Sequence, residues 1–132
     1  MHNLEIKSNI TNISEVEQLI DIVCEDLKLN EDYYGNILIA VTEAVTNAIV
    51  HGNKNNTSKF VTISVDKLKM EVVFTVVDDG GGFDYTNLPD PTAPENVEKP
   101  NGRGIFLMKN LSDKVEFFDG GKKVCITFVI NE

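Results

Sequence analysis

The sequence is poor in three things that would each point to a class of protein: positive charge, clustered cysteine and long apolar runs. Only 12 Lys and Arg stand against 21 Asp and Glu, for a net charge of -9. A protein that grips a phosphate backbone needs clustered cations to displace condensed counterions, so nucleic acid is excluded as the expected partner. The two cysteines, Cys24 and Cys125, are far apart and in no CxxC spacing, which argues against a zinc site or a redox pair. They are expected to be buried thiols in a reducing compartment. No stretch approaches the roughly 20 apolar residues of a membrane span, and Met1-His2-Asn3-Leu4-Glu5 has no basic region leading into an apolar run. The expectation is a soluble cytoplasmic protein with no membrane partner. Also missing are the Lys-Ser/Thr of a P-loop and the spacing of a Rossmann fingerprint.

What is present fits one domain spanning residues 1–132, since this length with 42% hydrophobic residues can bury one real core. Leu4 to Lys7 alternates briefly, as an edge strand does. Ser14-Glu15-Val16-Glu17 has the form of a capping box, and Val16, Leu19, Ile20, Val23 and Leu27 recur at three and four residues, predicting a helix over 15–27. Asn30 is a good N-cap for a second helix that carries Ile37, Leu38, Val41, Ala44, Val45, Ala48 and Ile49 to about Val50. It is expected to end at His51-Gly52-Asn53 through a left-handed glycine. From Phe60 the period drops to two. Val61, Ile63 and Val65, then Val72, Phe74 and Val76, predict an antiparallel hairpin turning near 67–69.

Asp79-Gly80-Gly81-Gly82 breaks that strand, and Pro89, Pro91, Pro94 and Pro100 punctuate a polar stretch that predicts a long loop over 85–101. A loop of this length inside a compact domain is usually functional, and a mobile lid is expected. A short helix after Gly104, bearing Ile105, Leu107, Met108 and Leu111, precedes strands over 115–118 and 124–130 that meet at Asp119-Gly120-Gly121. Helices followed by strands, then a helix and more strands, predict an α+β two-layer sandwich with a mainly antiparallel sheet covered by helices on one face.

Three sets of residues carry chemistry. Glu43, Asn47 and His51, spaced at i, i+4 and i+8, form a polar line on an otherwise apolar helix. A solvated helix face is the ordinary explanation of such a line. Asn47 fits it least, because Asn is a mediocre helix former and here lies among Val45, Ala48 and Ile49. Its amide oxygen suits Mg2+, a hard cation that takes oxygen ligands and bridges phosphates. Asp78 ends a strand, where a carboxylate can accept from an exocyclic amino group, and the glycines after it allow a ligand or backbone to approach closely. A plain turn would explain those glycines equally well. Gly102-Arg103-Gly104 opens the third helix, where unpaired N–H groups favour an anion such as phosphate. Arg103 can pair with phosphate oxygens or lie in solvent.

Taken in order, Glu43-Ala44-Val45-Thr46-Asn47-Ala48-Ile49-Val50-His51-Gly52-Asn53, Asp78-Asp79-Gly80-Gly81-Gly82-Phe83-Asp84 and Gly102-Arg103-Gly104-Ile105-Phe106-Leu107-Met108 resemble the three nucleotide boxes of the GHKL, or Bergerat-fold, superfamily. Within it the chain is most similar to the short bacterial anti-sigma factor serine/threonine-protein kinases, over roughly Ile13 to Ile130. Three ordered boxes are far more specific than any one. The resemblance implies ATP as the nucleotide, with Asn47 on Mg2+, Asp78 on the adenine amino group, and Gly80, Gly82, Gly102, Arg103 and Gly104 around the nucleotide. It implies Glu43 as the general base toward a serine on a STAS-type antagonist protein, which competes with a sigma factor for the kinase, and it implies a homodimer. A non-catalytic ATP-binding switch that only holds a partner is the alternative, and an ATPase or histidine-kinase-like fragment a third. One departure stands out: where many relatives carry threonines after the final Gly-Gly turn, this chain has Lys122 and Lys123, with Thr127 a weak substitute.

Overall fold

The computed structural model describes residues 2–80 and 100–130, with side chains from Gly104 onward in the second stretch. Gly82 and most of the predicted 85–101 lid therefore lie outside the described residues, as does the side chain of Arg103.

The elements run β1 (His2–Lys7), α1 (Ile13–Asp26), α2 (Glu31–Asn47), β2 (Phe60–Leu68), β3 (Glu71–Asp78), α3 (Pro100–Leu111), β4 (Lys114–Phe118) and β5 (Lys123–Val129). The five strands form one sheet in the order β1-β2-β3-β5-β4, every neighbour antiparallel. The fold is thus the α+β arrangement expected from the segregation of helical and strand patterns.

Strand alternation decides which face is covered. In register, Ile63 meets Val76, and Phe74 meets Ile126, so Val61, Ile63, Val65, Val72, Phe74, Val76, Val124, Ile126 and Phe128 share one face. All are buried, together with Val16, Leu19, Ile20 and Val23 of α1, and Ile37, Val41 and Val45 of α2. Phe74 and Phe128 meet edge to face, ring centroids 5.9 Å apart. Burying a Val, Leu, Ile or Phe side chain contributes about 1.5–3 kcal/mol, so this apolar face holds the helix layer on the sheet.

The local start and stop signals divide into those that act as read and those that do not. Asn30 caps α2 as expected, its Oδ1 accepting from Asp32 N–H at 3.0 Å. The capping box at Ser14 does not form. A 3-10 turn at Ile10–Asn12, capped by Asn9, already winds the chain, so α1 begins at Ile13 and the Ser14 hydroxyl donates to Thr11 O instead. The left-handed glycine at the end of α2 is also corrected. Gly52 has no positive φ; Lys54 and Asn55 take the left-handed conformation, at 53° and 59°. The hairpin turn falls at Lys69-Met70, between β2 and β3, slightly later than expected.

α3 begins at Pro100, a residue whose fixed φ suits the first helical turn, so the helix takes in the end of the predicted loop. Cys24 and Cys125 are free but half-buried rather than buried. Burial first, and the negative charge of Asp21 second, push the Cys24 thiol above its ordinary value. Among the described residues no helix is long and apolar enough to cross a membrane.

Candidate functional site

The site is built where the end of α2, the end of β3 and the start of α3 converge. α2 widens as it ends. Thr42 and Thr46 turn their hydroxyls back onto Leu38 O (2.7 Å) and Thr42 O (2.8 Å), a pattern that bends helices. The turn Ala48–Gly52 then opens to i→i+5 bonding, with Asn53 N donating to Ala48 O at 2.8 Å. This turn follows directly on Asn47 and brings Gly52 beneath the end of β3.

Asp78 is 2% exposed. Its carboxylate Oδ1 accepts from Gly80 N–H at 2.9 Å, and its backbone N–H donates to Lys122 O, also at 2.9 Å. The carboxylate lies directly on Gly52, where an added Cβ would come within 2.3 Å of Oδ2. A Cβ on Gly80 would come within 1.9 Å of the Gly52 carbonyl oxygen. Both glycines are therefore required by close approach of backbone and carboxylate, not by a turn conformation. Asp79 faces elsewhere and accepts from Phe60 N–H at 2.8 Å.

Asn47 is 4% exposed, and its Nδ2 has no hydrogen-bond partner among the described residues. Buried amides are rarely left unpaired, so an orphaned donor marks a place where an acceptor is missing. Glu43, one turn earlier, is half-buried. Both side chains meet Gly104 of α3, where a Cβ would lie 2.9 Å from Glu43 Oε2 and 3.3 Å from Asn47 Nδ2. Gly104 thus lets α3 close onto the polar line of α2. The expectation that the glycines precede the third helix is corrected: Gly102, Arg103 and Gly104 lie inside α3. His51, the third member of the line, is partly buried, and loss of solvent lowers its pKa from the ordinary value.

Asn47 and Asp78 line the same pocket. Its walls are Ala44, Ala48, Val76, Met108, Phe117 and Val124, and Gly121 and Lys122 close one side. The lining is mostly apolar, with the buried Asp78 carboxylate as an acceptor within it. Among the described residues no three or more His, Cys, Asp or Glu cluster to hold a metal. A divalent ion here would take Asn47 Oδ1 and draw its remaining oxygens from a ligand and water, the usual habit of Mg2+. The orphaned Nδ2 beside that oxygen can donate to the same ligand, so the residues present fit an anion with its counter-ion.

Three placements escaped sequence reasoning. Lys122 enters the pocket lining and holds β3 through its carbonyl, because the 3-10 turn at Asp119–Gly121 folds it back. Thr127, in register with Val73, lies on the opposite face of the sheet from the pocket and cannot replace a threonine there. Asn53 and Ser8, both buried, are joined at 2.6 Å behind Gly52. The sequence signals for Asn53 were its place after the helix-ending glycine and at the end of the first of the three boxes.

The sequence matches the histidine kinase-like ATPase domain family over residues 6–129, and the chain belongs to that family. Its relatives there include an anti-sigma F factor and a serine-protein kinase. The chain is 35% identical over 103 residues to the anti-sigma F factor of Clostridium perfringens strain ATCC 13124, covering 73% of this chain and 72% of that one. It is 32% identical to the serine-protein kinase RsbW of Staphylococcus aureus strain JH9, covering 71% of this chain and 64% of that one. The crystal structure of the RsbU and RsbW domains of Rv1364c from Mycobacterium tuberculosis superposes with a TM-score of 0.63 at 16% identity. That likeness covers 99% of this chain and 32% of the other, and it bears on the fold alone.

Proposed function

We propose that the protein is an ATP-dependent serine/threonine kinase of the anti-sigma factor type, which phosphorylates a serine on a STAS-type antagonist and so sets its own hold on a sigma factor. One observation carries the reading: a buried carboxylate and a buried, orphaned amide, Asp78 and Asn47, lie on one apolar pocket with Glu43 a helical turn away. The kinase and anti-sigma names of the relatives support it.

In this reading Asp78 accepts from the adenine amino group, and the apolar walls exclude water from the ring. Asn47 Oδ1 ligates Mg2+ and Nδ2 donates to a phosphate oxygen. Mg2+, when bound, supplies charge neutralisation at the phosphates. The first turn of α3, which begins at Pro100, supplies free N–H groups and helix-dipole charge to the same anion, with Gly102, Arg103 and Gly104 lining the nucleotide from that end of the helix. Gly80 and Gly82 give the nucleotide room beside Asp78. Glu43 accepts the proton of the serine hydroxyl while that oxygen bonds to the γ-phosphorus and the bond to the ADP oxygen breaks. The Gly104 contact holds Glu43 close to the helix start where the phosphates would lie.

Incubation with γ-labelled Mg-ATP and candidate STAS proteins tests the reading. Label on a serine of the partner supports it. Tight ATP binding with no transfer would instead make the protein an ATP-dependent binding switch, and release of free phosphate alone would make it an ATPase. Sedimentation with and without a sigma factor tests the assembly side, including the homodimer.

A further inference from the structure

Asp78 can read an amino group only if its carboxylate is held in one place. Its supports include the Gly80 N–H and the surface of Gly52 against which Oδ2 rests. Gly52 has no side chain to fix it, so whatever positions Gly52 helps to position the carboxylate. The next residue, Asn53, is 1% exposed, and three of its bonds tie it to separate segments. Its backbone N–H closes the wide turn on Ala48 O at 2.8 Å. Its Nδ2 donates to Ser8 Oγ at 2.6 Å and to Phe60 O at 3.0 Å. Ser8 is anchored in turn, its hydroxyl donating to Lys59 O at 2.9 Å and its N–H donating to the same oxygen at 3.1 Å.

These bonds join three of the segments around Asp78. Ser8 ends the β1 connection, Ala48–Gly52 ends the α2 line, and Phe60 begins β2 one residue before Val61, the register partner of Asp78. Phe60 also takes the Asp79 carboxylate on its N–H. Gly80 is tied in by contact, since a Cβ there would reach Asn53 Oδ1 at 3.0 Å. That Oδ1 is buried with no hydrogen-bond partner among the described residues. A residue kept only for its volume would not place a polar amide there, because a buried acceptor left unpaired is unfavourable.

We propose that Asn53, backed by Ser8, is a positioning residue for Asp78: its Nδ2 bonds to Ser8 and Phe60 fix a side chain whose Oδ1 lies on Gly80, next to Gly52, and thereby set the adenine-reading carboxylate, without touching nucleotide. The inference rests on Asp78 having the role given above. It makes Asn53 and Ser8 determinants of base selectivity although both lie behind the pocket wall.

The test uses the whole chain with Asn53→Asp, which keeps the shape and removes the donor, and Ser8→Ala, a milder cut in the same network. Three quantities are read: hydrogen exchange of the Gly80 amide by NMR in the nucleotide-free protein, ATP affinity, and the ratio of ATP to GTP affinity. For Asn53→Asp, which removes the donor of two bonds, Gly80 exchange should quicken and ATP affinity fall by about tenfold or more. The ATP preference over GTP should shrink with it, which a general loosening of the fold would not single out. Ser8→Ala should move all three the same way by about threefold, and it carries the test should Asn53→Asp fail to fold. Unchanged Gly80 exchange and an unchanged ATP to GTP ratio in a folded variant would overturn the inference. If the unsubstituted protein binds no ATP yet Gly80 exchange still quickens in both variants, the positioning of Asp78 stands and the nucleotide reading falls.

Discussion

The two ends of the pocket are made on different terms. At the Asp78 end the carboxylate is buried, accepts the Gly80 N–H and is wedged on Gly52 with glycine-only clearance. At the Asn47 end an amide is equally buried but its donor has no partner among the described residues. Among the described residues, one end is closed and the other keeps an open donor. The contrast teaches which residues serve stability and which serve binding. Substitutions at the closed end should disturb the fold and the ligand together, whereas those at the open end should fall on the ligand alone.

The largest effect tests the open end. Glu43→Gln keeps the size of the side chain and removes its basicity, so single-turnover transfer to the serine partner should fall by about 10²- to 10⁴-fold. ATP affinity should stay within a few-fold. Transfer at the parental rate would return Glu43 to an ordinary helix carboxylate.

Next comes the closed end. Gly80→Ala drives a methyl group into the Gly52 carbonyl, a backbone atom that cannot swing aside, and should destabilise the protein by about 3 kcal/mol, at the upper end of overpacking costs. Denaturant unfolding measures it. An alanine variant as stable as the parent would show that the two backbones separate easily. Asp78→Asn should weaken ATP binding by about 1–3 kcal/mol through a mispaired buried group, and should erase the preference over GTP. Calorimetry showing equal ATP and GTP affinity in the unsubstituted protein would sink the adenine assignment.

Asn47→Ala sharpens the comparison from the other side. Because Nδ2 has no partner among the described residues to lose, unfolding free energy should change by less than about 1 kcal/mol. Mg-ATP affinity should nevertheless drop markedly. A large loss of stability without ligand would mean that the Asn47 end is closed too.

The smallest effect belongs to His51. Burial lowers its folded pKa below the ordinary 6.5, so the unfolded chain takes up the proton first as pH falls. The His51 contribution is therefore intact above pH 6.5 and declines as pH drops from there toward the folded value. Urea midpoints measured from pH 7.5 to 5.5 should decline, and His51→Gln should flatten the part of that decline due to this residue.

How far the site could be read in advance depended on the range of the interactions. Asn30 capping α2 and the alternation of Val61, Ile63 and Val65 were legible because each signal lies within a few residues of its effect. Ser14 was misread because its capping role depends on the turn before it, which Asn9 had already closed. Gly52 was misread for a related reason: a glycine after a helix signals a left-handed cap by local rules, and the Asp78 carboxylate that requires it comes from a strand 26 positions later in the numbering.

By itself the sequence determined the periods, the breaks and the order of the three nucleotide boxes, and with them the α+β layers and the family, because hydrophobic period and motif order are properties of the chain read along its length. It also placed Glu43 and Asn47 on one helical line. Only the tertiary structure decided that Asn47 and Asp78 share a pocket, that Gly104 is small to let α3 close on Glu43, that Lys122 enters the lining while Thr127 faces away, and that Asn53 ties Ser8 to Phe60 behind the carboxylate. Each of these depends on contact between segments distant in the chain, and close approach and hydrogen-bond partnership across such distances exist only once the helices have packed on the sheet.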